Sequence, residues 1–178
     1  MVKVIQNMLR AYDFIGLTER LDESLVVLRF ILGLNADDIL YVPAKVNGGY
    51  DDGRYNNACI KIKKSIIKDE KMKEYISSSE WKNKIKLSML LHKAVNKSLD
   101  DTIKNIIGKE KFSNALNEHK YLISLVNEKC AASTYFPCSK DGKLQYAKSR
   151  HNCYFHDSGC GYPCIDELYY NISNNITF

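Results

Sequence analysis

The sequence has few prolines, no low-complexity tract and no long apolar run. Three prolines in 178 residues, without any biased segment, argue against a long disordered region. Since no apolar run approaches the roughly 20 residues that a bilayer-spanning helix needs, we predict no membrane segment in this chain. The first residues, MVKVIQNMLRAYDF, lack the uninterrupted apolar core and the cleavage site of a secretory signal.

Common signatures of catalysis and of nucleic-acid binding are also absent. The sequence has no G-x-x-x-x-G-K-[ST] phosphate loop, no G-x-G-x-x-G, no G-x-S-x-G nucleophile elbow and no H-E-x-x-H. It has no helix-turn-helix spacing, no RNP-type aromatic motif and no arginine-rich segment, so nucleic acid is not an expected partner. The net charge of +5, with lysine dominant between Lys61 and Lys129, indicates a solvated helical face or attraction of an anionic partner.

The hydrophobic pattern predicts one strand or a few, followed mostly by helices. We expect a helix over 3–11, a short core strand over 12–17 and a brief strand or extended run over 38–42. Glycines and a proline make 43–53 a loop. Long helices are then expected over 77–106, with Ser78 as a capping candidate, and over 109–130. The chain after Cys130 is expected to be irregular.

The segment 18–33 is predicted to be a capped amphipathic helix. Thr18 is a candidate N-cap, and Gly33 can end the helix in a left-handed turn. Four leucines recur at steps of four, three and four residues and predict a buried stripe, namely Leu21, Leu25, Leu28 and Leu32. Among the histidines, His92 is expected to be a core residue rather than a base, and His119 to be exposed.

Cysteines dominate the last quarter of the sequence. Clustered thiols indicate disulfides in an oxidising compartment or metal ligation. The tail HNCYFHDSGCGYPC offers His and Cys ligands for zinc, but its C-x6-C and C-x3-C spacings differ from paired C-x2-C knuckles. Disulfides are therefore favoured, and no metal is expected. Cys59 stands alone, and the cluster consists of Cys130, Cys138, Cys153, Cys160 and Cys164.

Three sequons for N-glycosylation occur, at Asn96, Asn171 and Asn175. Such sequons arise by chance in chains rich in Asn and Ser. Together with the cysteines, they nevertheless favour a luminal or extracellular glycoprotein.

The loop after DILY is the candidate site for an anion. Tyr41 offers an aromatic face and a hydroxyl, Lys45 offers a positive charge, and Asn47 begins a glycine-containing run whose amides can approach a phosphate closely. The alternative interpretation is an exposed surface loop with ordinary turn residues.

Three motifs in order give the sequence a resemblance to a known family. FIGLTE at 14–19, DESLVVL at 22–28 and DDILY at 37–41 resemble the C-terminal half of the Golgi carbohydrate sulfotransferases. The nearest groups are the galactose-3-O-sulfotransferases and the heparan sulfate 2-O-sulfotransferase. The later stretch over 96–112 and the DSGCGYPC ending also look like a chain of this kind.

The resemblance implies an α/β fold with a P-loop-like phosphosulfate site. It implies transfer of a sulfuryl group from the cosubstrate 3′-phosphoadenosine 5′-phosphosulfate to a hydroxyl of a glycan acceptor. It also implies that Tyr41, and with it Lys45 and Asn47, helps to hold the nucleotide. The Golgi lumen, or the secretory pathway more widely, is the location that follows from it.

The family places its phosphosulfate loop, its 3′-phosphate ligands and its catalytic base before the G-x-T-E strand, where only 1–13 stand in this sequence. The catalytic residues are therefore unassigned, and we expect a fragment of the enzyme. Residues 1–129 would be the C-terminal half of the α/β domain, mostly helical with few strands, and 130–178 a cysteine-rich irregular tail packed on it. The alternatives are a non-catalytic, disulfide-stapled secreted helical binding module and, less favoured, a small zinc module in the tail.

Overall fold

The computed structural model describes residues 2–42, 50–51, 59–61, 69–131, 138–139, 141–143 and 161–174. Over these ranges the protein is mostly helical and contains disulfides, as the sequence predicts. The chain forms two compact units, one from Met1–Ile39 with Ile67–Lys120 and the other from Leu40–Ile66 with Tyr121–Phe178. No helix among the described residues is both long enough and apolar enough to cross a membrane.

Six α-helices and two short strands make up the described secondary structure. The helices are α1 (Val2–Ala11), α2 (Leu21–Leu32), α3 (Glu70–Ser77), α4 (Ser79–Thr102), α5 (Lys109–Cys130) and α6 (Tyr162–Ser173). Single 3-10 turns lie at Thr18–Arg20 and Asp37–Ile39, and a π-helical turn, Ile103–Ile107, extends α4. Strands β1 (Tyr50–Asp51) and β2 (Ile60–Lys61) pair antiparallel, with Tyr50 opposite Lys61.

The core of the first unit is an aliphatic cluster around α2 and α4. These helices bring Val26, Val27, Val95 and Leu99 together, and none of the four is more than 3% exposed. The π-helical turn contributes Ile103 to the cluster, and the first turns of α5 contribute Phe112 and Ala115. Its complete buried set is Leu17, Val26, Val27, Ile39, Val95, Leu99, Ile103, Phe112 and Ala115.

Helix boundaries follow the local sequence signals closely. Ser78 caps α4, because its Oγ accepts a hydrogen bond from the Trp81 amide at 3.1 Å. Asp69 caps α3 in the same manner. Gly33 ends α2 in the left-handed region at φ 66°, which a residue without a Cβ adopts at no steric cost. The capping predictions for Ser78 and Gly33 are confirmed, whereas Thr18 begins a 3-10 turn without a side-chain cap.

Neither expected strand forms. The segment 12–17 contains no strand and bends at Asp13, and in place of a strand over 38–42 the DDI of DDILY forms a 3-10 turn. The physical reason is visible at Leu17, whose amide donates to the Ser24 hydroxyl of α2 rather than to a neighbouring strand. An apolar run of this length therefore packs on a helix here instead of joining a sheet.

The predicted leucine stripe of α2 is confirmed only in part. Leu25 packs partly buried against the core cluster and Leu28 is half-buried, whereas Leu21 is 42% exposed and Leu32 is 58% exposed. The residues that the helix buries fully are Ser24, Val26 and Val27, so the helical period is as predicted but the centre of the buried face is shifted. The buried side of α2 is the side that α4 and the π-helical turn contact, and the spacing of leucines in the sequence does not show which side that is.

The second unit contains the end of α5, helix α6 and the strand pair. Leu122 and Val126 of α5 and Ile165 and Leu168 of α6 are buried. The sequence-based prediction of an irregular tail is wrong over 162–173. Helix α6 begins with Gly161 in the left-handed region and has a proline in its first turn, where the missing amide hydrogen costs nothing.

Candidate functional site

The GLTERLDES segment folds back on itself at the start of α2. The Ser24 Oγ accepts a hydrogen bond from the Leu17 amide at 2.9 Å and donates to the Leu17 carbonyl at 3.3 Å, in a buried position. A Cβ placed on Gly16 would lie 3.2 Å from both Phe14 Cε1 and Ser24 Cβ. A side chain at position 16 would therefore have to displace Phe14 or Ser24 by a few tenths of an ångström, so the motif glycine and serine pack closely against each other.

Arg20 organises the polar side of the same segment. Its Nη1 donates to Asn96 Oδ1 at 2.6 Å and to Asp100 Oδ1 at 2.8 Å, both on α4. Its Nε donates to Glu23 Oε2 at 3.2 Å, and its Nη2 contacts the same oxygen. The carboxylate of Glu23, followed by that of Asp100, raises the pKa of Arg20. Asn96, the asparagine of the first N-glycosylation sequon, therefore lies in the middle of α4 with its side-chain oxygen bonded to Arg20.

His92 lies beside Glu19 on the surface of this unit. Its Nε2 contacts Glu19 Oε1, and the His92 side chain is 44% exposed. The hydrogen bond to His92 is the largest cause of the lowered pKa of the Glu19 carboxyl. The expectation that His92 is a core residue is wrong, because it lies on the side of α4 that meets the Thr18–Arg20 turn. Chemically, an exposed imidazole oriented by a carboxylate is an arrangement suited to proton transfer.

Of the two histidines among the described residues, His119 is the buried one, contrary to the expectation that it would be exposed. It is 1% exposed, and its Nε2 lies 3.4 Å from Asp22 Oδ1. Burial lowers the pKa of its imidazole, and Asp22 opposes that shift. The charged residues beside His119 in the sequence predict exposure. In α5, however, His119 lies one helical turn after the buried Ala115 and therefore on the same inward face.

A cleft of about 450 Å³, including space open to solvent, lies among α1, the segment 12–15, α2 and α4. Its polar groups are the Asp13 carboxylate and the hydroxyls of Tyr12, Ser98 and Thr102, and none of the described residues that line it is Lys, Arg or His. Without a cation, it does not suit a phosphate or sulfate group. The apolar walls are formed by Leu9, Phe14, Ile15, Val27, Ile31, Val95 and Leu99.

Of the three predicted nucleotide contacts, only Tyr41 lies within the described residues. It is half-buried, two residues beyond the Asp37–Ile39 turn, and it takes part in an interaction within the protein. Lys45 and Asn47 lie outside the described residues, so their positions relative to Tyr41 stay a prediction.

Two disulfides join described cysteines, and both lie in the second unit. Cys130 at the end of α5 pairs with Cys164 of α6, and Cys59 pairs with Cys138. Cys164 is therefore not available to a zinc ion, whereas the other predicted zinc ligands, 151–160, lie outside the described residues. Among the described residues, no group of three His, Cys, Asp or Glu side chains converges as a metal site would. The two bridges are compatible with a secreted or luminal protein.

No family model, no curated protein and no solved structure matches this chain.

Proposed function

We propose that this chain belongs to a sulfotransferase-like protein of the Golgi lumen or secretory pathway. The reaction would be transfer of a sulfuryl group from 3′-phosphoadenosine 5′-phosphosulfate to a glycan hydroxyl. In this proposal the described residues contribute the scaffold beside the nucleotide, and the phosphosulfate-binding loop and catalytic base are supplied by a region that this sequence does not contain.

One observation carries the proposal. Ser24 of DESLVVL bonds the backbone of Leu17 in FIGLTE, and Arg20, which lies between the two motifs, bonds Glu23 and α4. The two motifs on which the family resemblance rests are thus joined in one hydrogen-bonded unit, in which the buried Ser24 hydroxyl and Leu17 amide satisfy each other. This supports the view that the two motifs form one structural element, and the disulfides support an oxidising compartment.

The proposed chemistry assigns limited roles to this chain. Sulfuryl transfer resembles phosphoryl transfer in depending mostly on positioning and on stabilising negative charge. Tyr41 would offer its ring and hydroxyl to the nucleotide, Lys45 its charge and Asn47 its amide. The cleft near Tyr12 and Asp13 has no cation among its lining residues, so it is not proposed as the nucleotide site.

Thermal unfolding with 3′-phosphoadenosine 5′-phosphate tests the nucleotide part of the proposal. Ligand at about a hundred times its dissociation constant stabilises a protein by about 2.7 kcal/mol, which raises the melting temperature by about 5–10 °C at this chain length. Lys45→Gln should reduce the shift, whereas Lys71→Gln, a charge-matched change on the exposed side of α3, should leave it intact. A chain that shows no shift at millimolar ligand does not hold the nucleotide by itself.

The second candidate function is a non-catalytic helical binding module stabilised by disulfides. The Cys130–Cys164 bridge, which fastens α6 to the end of α5, is the observation that favours it. The two candidates separate when the same unfolding experiment is repeated with a glycan. Cooperative unfolding with no shift by the nucleotide, but with a melting temperature raised by the glycan, would support the module, whereas a shift by the nucleotide that Lys45→Gln reduces would support the sulfotransferase proposal.

A further inference from the structure

Four lysines form a row along the solvent side of α4. Lys82, Lys86, Lys93 and Lys97 are spaced four, seven and four residues apart, and all are exposed. At 100° per residue these positions fall within about 60° of one another, and the row extends about 22 Å along the helix. We call these four residues the lysine stripe.

The charge of the lysine stripe is largely uncompensated. Between Trp81 and Leu99, the helix contains no aspartate or glutamate. In the part of the chain that the structure describes, Lys82, Lys86 and Lys93 form no ion pair, whereas Lys97 lies 2.8 Å from Asp101. By contrast Lys84, on another side of α4, is paired with Glu80 and lies over the Tyr75 ring. The stripe is therefore a straight row of available cations rather than part of an alternating charge network.

We propose that the lysine stripe binds a linear acidic polysaccharide, one that carries sulfate or carboxylate groups along its length. A straight row of positive charges complements a linear polyanion along its axis, and binding of this kind needs no cavity. The inference goes beyond the proposed sulfuryl transfer, because no residue of the stripe belongs to the predicted nucleotide site. Binding can thus be present or absent independently of nucleotide affinity.

Other anionic partners fit these observations less well. The stripe contains no arginine, and no Phe, Tyr or Trp stands between Lys82 and Lys97 to stack on a base, as surfaces that bind single-stranded nucleic acid use. A helix that inserts into a membrane surface needs a free apolar face. In α4, Val95 and Leu99 are buried in the core of the first unit, and the exposed Leu87, Met89 and Leu90 lie on both sides of the lysine stripe rather than on one separate apolar face. The disulfides also suit the compartments in which acidic polysaccharides occur.

The test is a binding titration of the full chain with heparin as the linear sulfated polysaccharide. Affinity should fall steeply as salt is raised from about 0.05 to about 0.5 M, because the Debye length shortens over that range. Replacing the unpaired residues together, as Lys82→Gln, Lys86→Gln and Lys93→Gln, should weaken binding between about threefold and about 150-fold, since exposed charge pairs are individually modest. The matching Lys→Arg triple variant should retain binding, because it keeps all three charges.

The control variant carries Lys109→Gln, Lys120→Gln and Lys129→Gln, which remove the same charge from exposed positions on α5. It should weaken heparin binding by less than about twofold. An equal loss in both triple variants would show that net charge alone matters and would overturn the proposal. So would absence of heparin binding by the native chain. Equally tight, stripe-dependent binding of duplex DNA or of phosphatidylserine vesicles would overturn it in favour of those partners. Circular dichroism spectra and melting temperatures establish that every variant is folded.

Discussion

Replacing Ser24 by alanine should destabilise the protein measurably. The change removes the acceptor of the Leu17 amide, and Leu17 and Ser24 are both buried. The Leu17 carbonyl keeps a second partner, since the Arg20 amide donates to it at 3.1 Å. The amide, however, loses the only acceptor that the described residues give it. A buried donor left without a partner costs about 1–3 kcal/mol.

The net effect is expected to be smaller than that range suggests. Alanine has a higher helix propensity than serine, which offsets up to about 0.5 kcal/mol. A loss of about 1–2 kcal/mol should remain, and at this chain length it lowers the melting temperature by about 2–8 °C. Urea unfolding followed by circular dichroism gives the free energy of unfolding directly.

Ser124→Ala provides the matched control for this experiment. Ser124 also donates its hydroxyl hydrogen to a backbone carbonyl, that of Tyr121, but it is exposed on α5. Its replacement should change the free energy of unfolding by no more than about 0.5 kcal/mol. If Ser24→Ala is as stable as Ser124→Ala, the buried hydrogen bond does not hold the 14–24 segment, and the structural basis of the motif is refuted.

Three further predictions concern a disulfide and two histidines. Replacing both Cys130 and Cys164 by serine should lower the free energy of unfolding by about 4 kcal/mol, because their bridge joins residues 34 positions apart. Peptide mapping that finds a different pairing of these cysteines would contradict this prediction. Burial lowers the pKa of His119 in the folded protein, so as the pH falls the unfolded chain takes up this proton before the folded one. The free energy of unfolding, measured with urea, should therefore be highest above about pH 6.5 and should decrease below it, and this decrease should be smaller in His119→Gln. His92→Gln should raise the pKa of the Glu19 carboxyl towards its ordinary value, and a carboxyl NMR titration that finds no change would show that the contact is absent in solution.

Several features of the fold were predictable because their causes are local. The cap at Ser78 and the left-handed end at Gly33 depend on residues within one helical turn of the boundary. The long helices α4 and α5 follow from sustained 3.6-residue periodicity without internal glycine or proline. Disulfides rather than zinc follow from cysteine spacing, and Cys164 is indeed bridged.

The errors have a common physical origin in contacts between distant parts of the chain. The sequence does not show that the Ser24 hydroxyl accepts a hydrogen bond from the Leu17 amide, so the apolar run over 12–17 has the pattern of a strand. It does not show which side of α2 meets α4, so the leucine pattern does not indicate that Val26 and Val27 are the most deeply buried residues. In the candidate site, Tyr41 was chosen from its motif alone, whereas nothing local indicated that Arg20 bonds residues 76 and 80 positions away.

The sequence by itself determined that this chain is cysteine-rich and, over its described residues, largely helical, because composition and periodicity act over short distances. Tertiary structure alone decided that the GLTERLDES segment is fastened by Ser24 and Arg20, and that His119 is buried while His92 is exposed. Those outcomes depend on which side of each helix faces its neighbours. The packing of the whole unit fixes that side, because a helix that buries one of its faces leaves the opposite face in solvent.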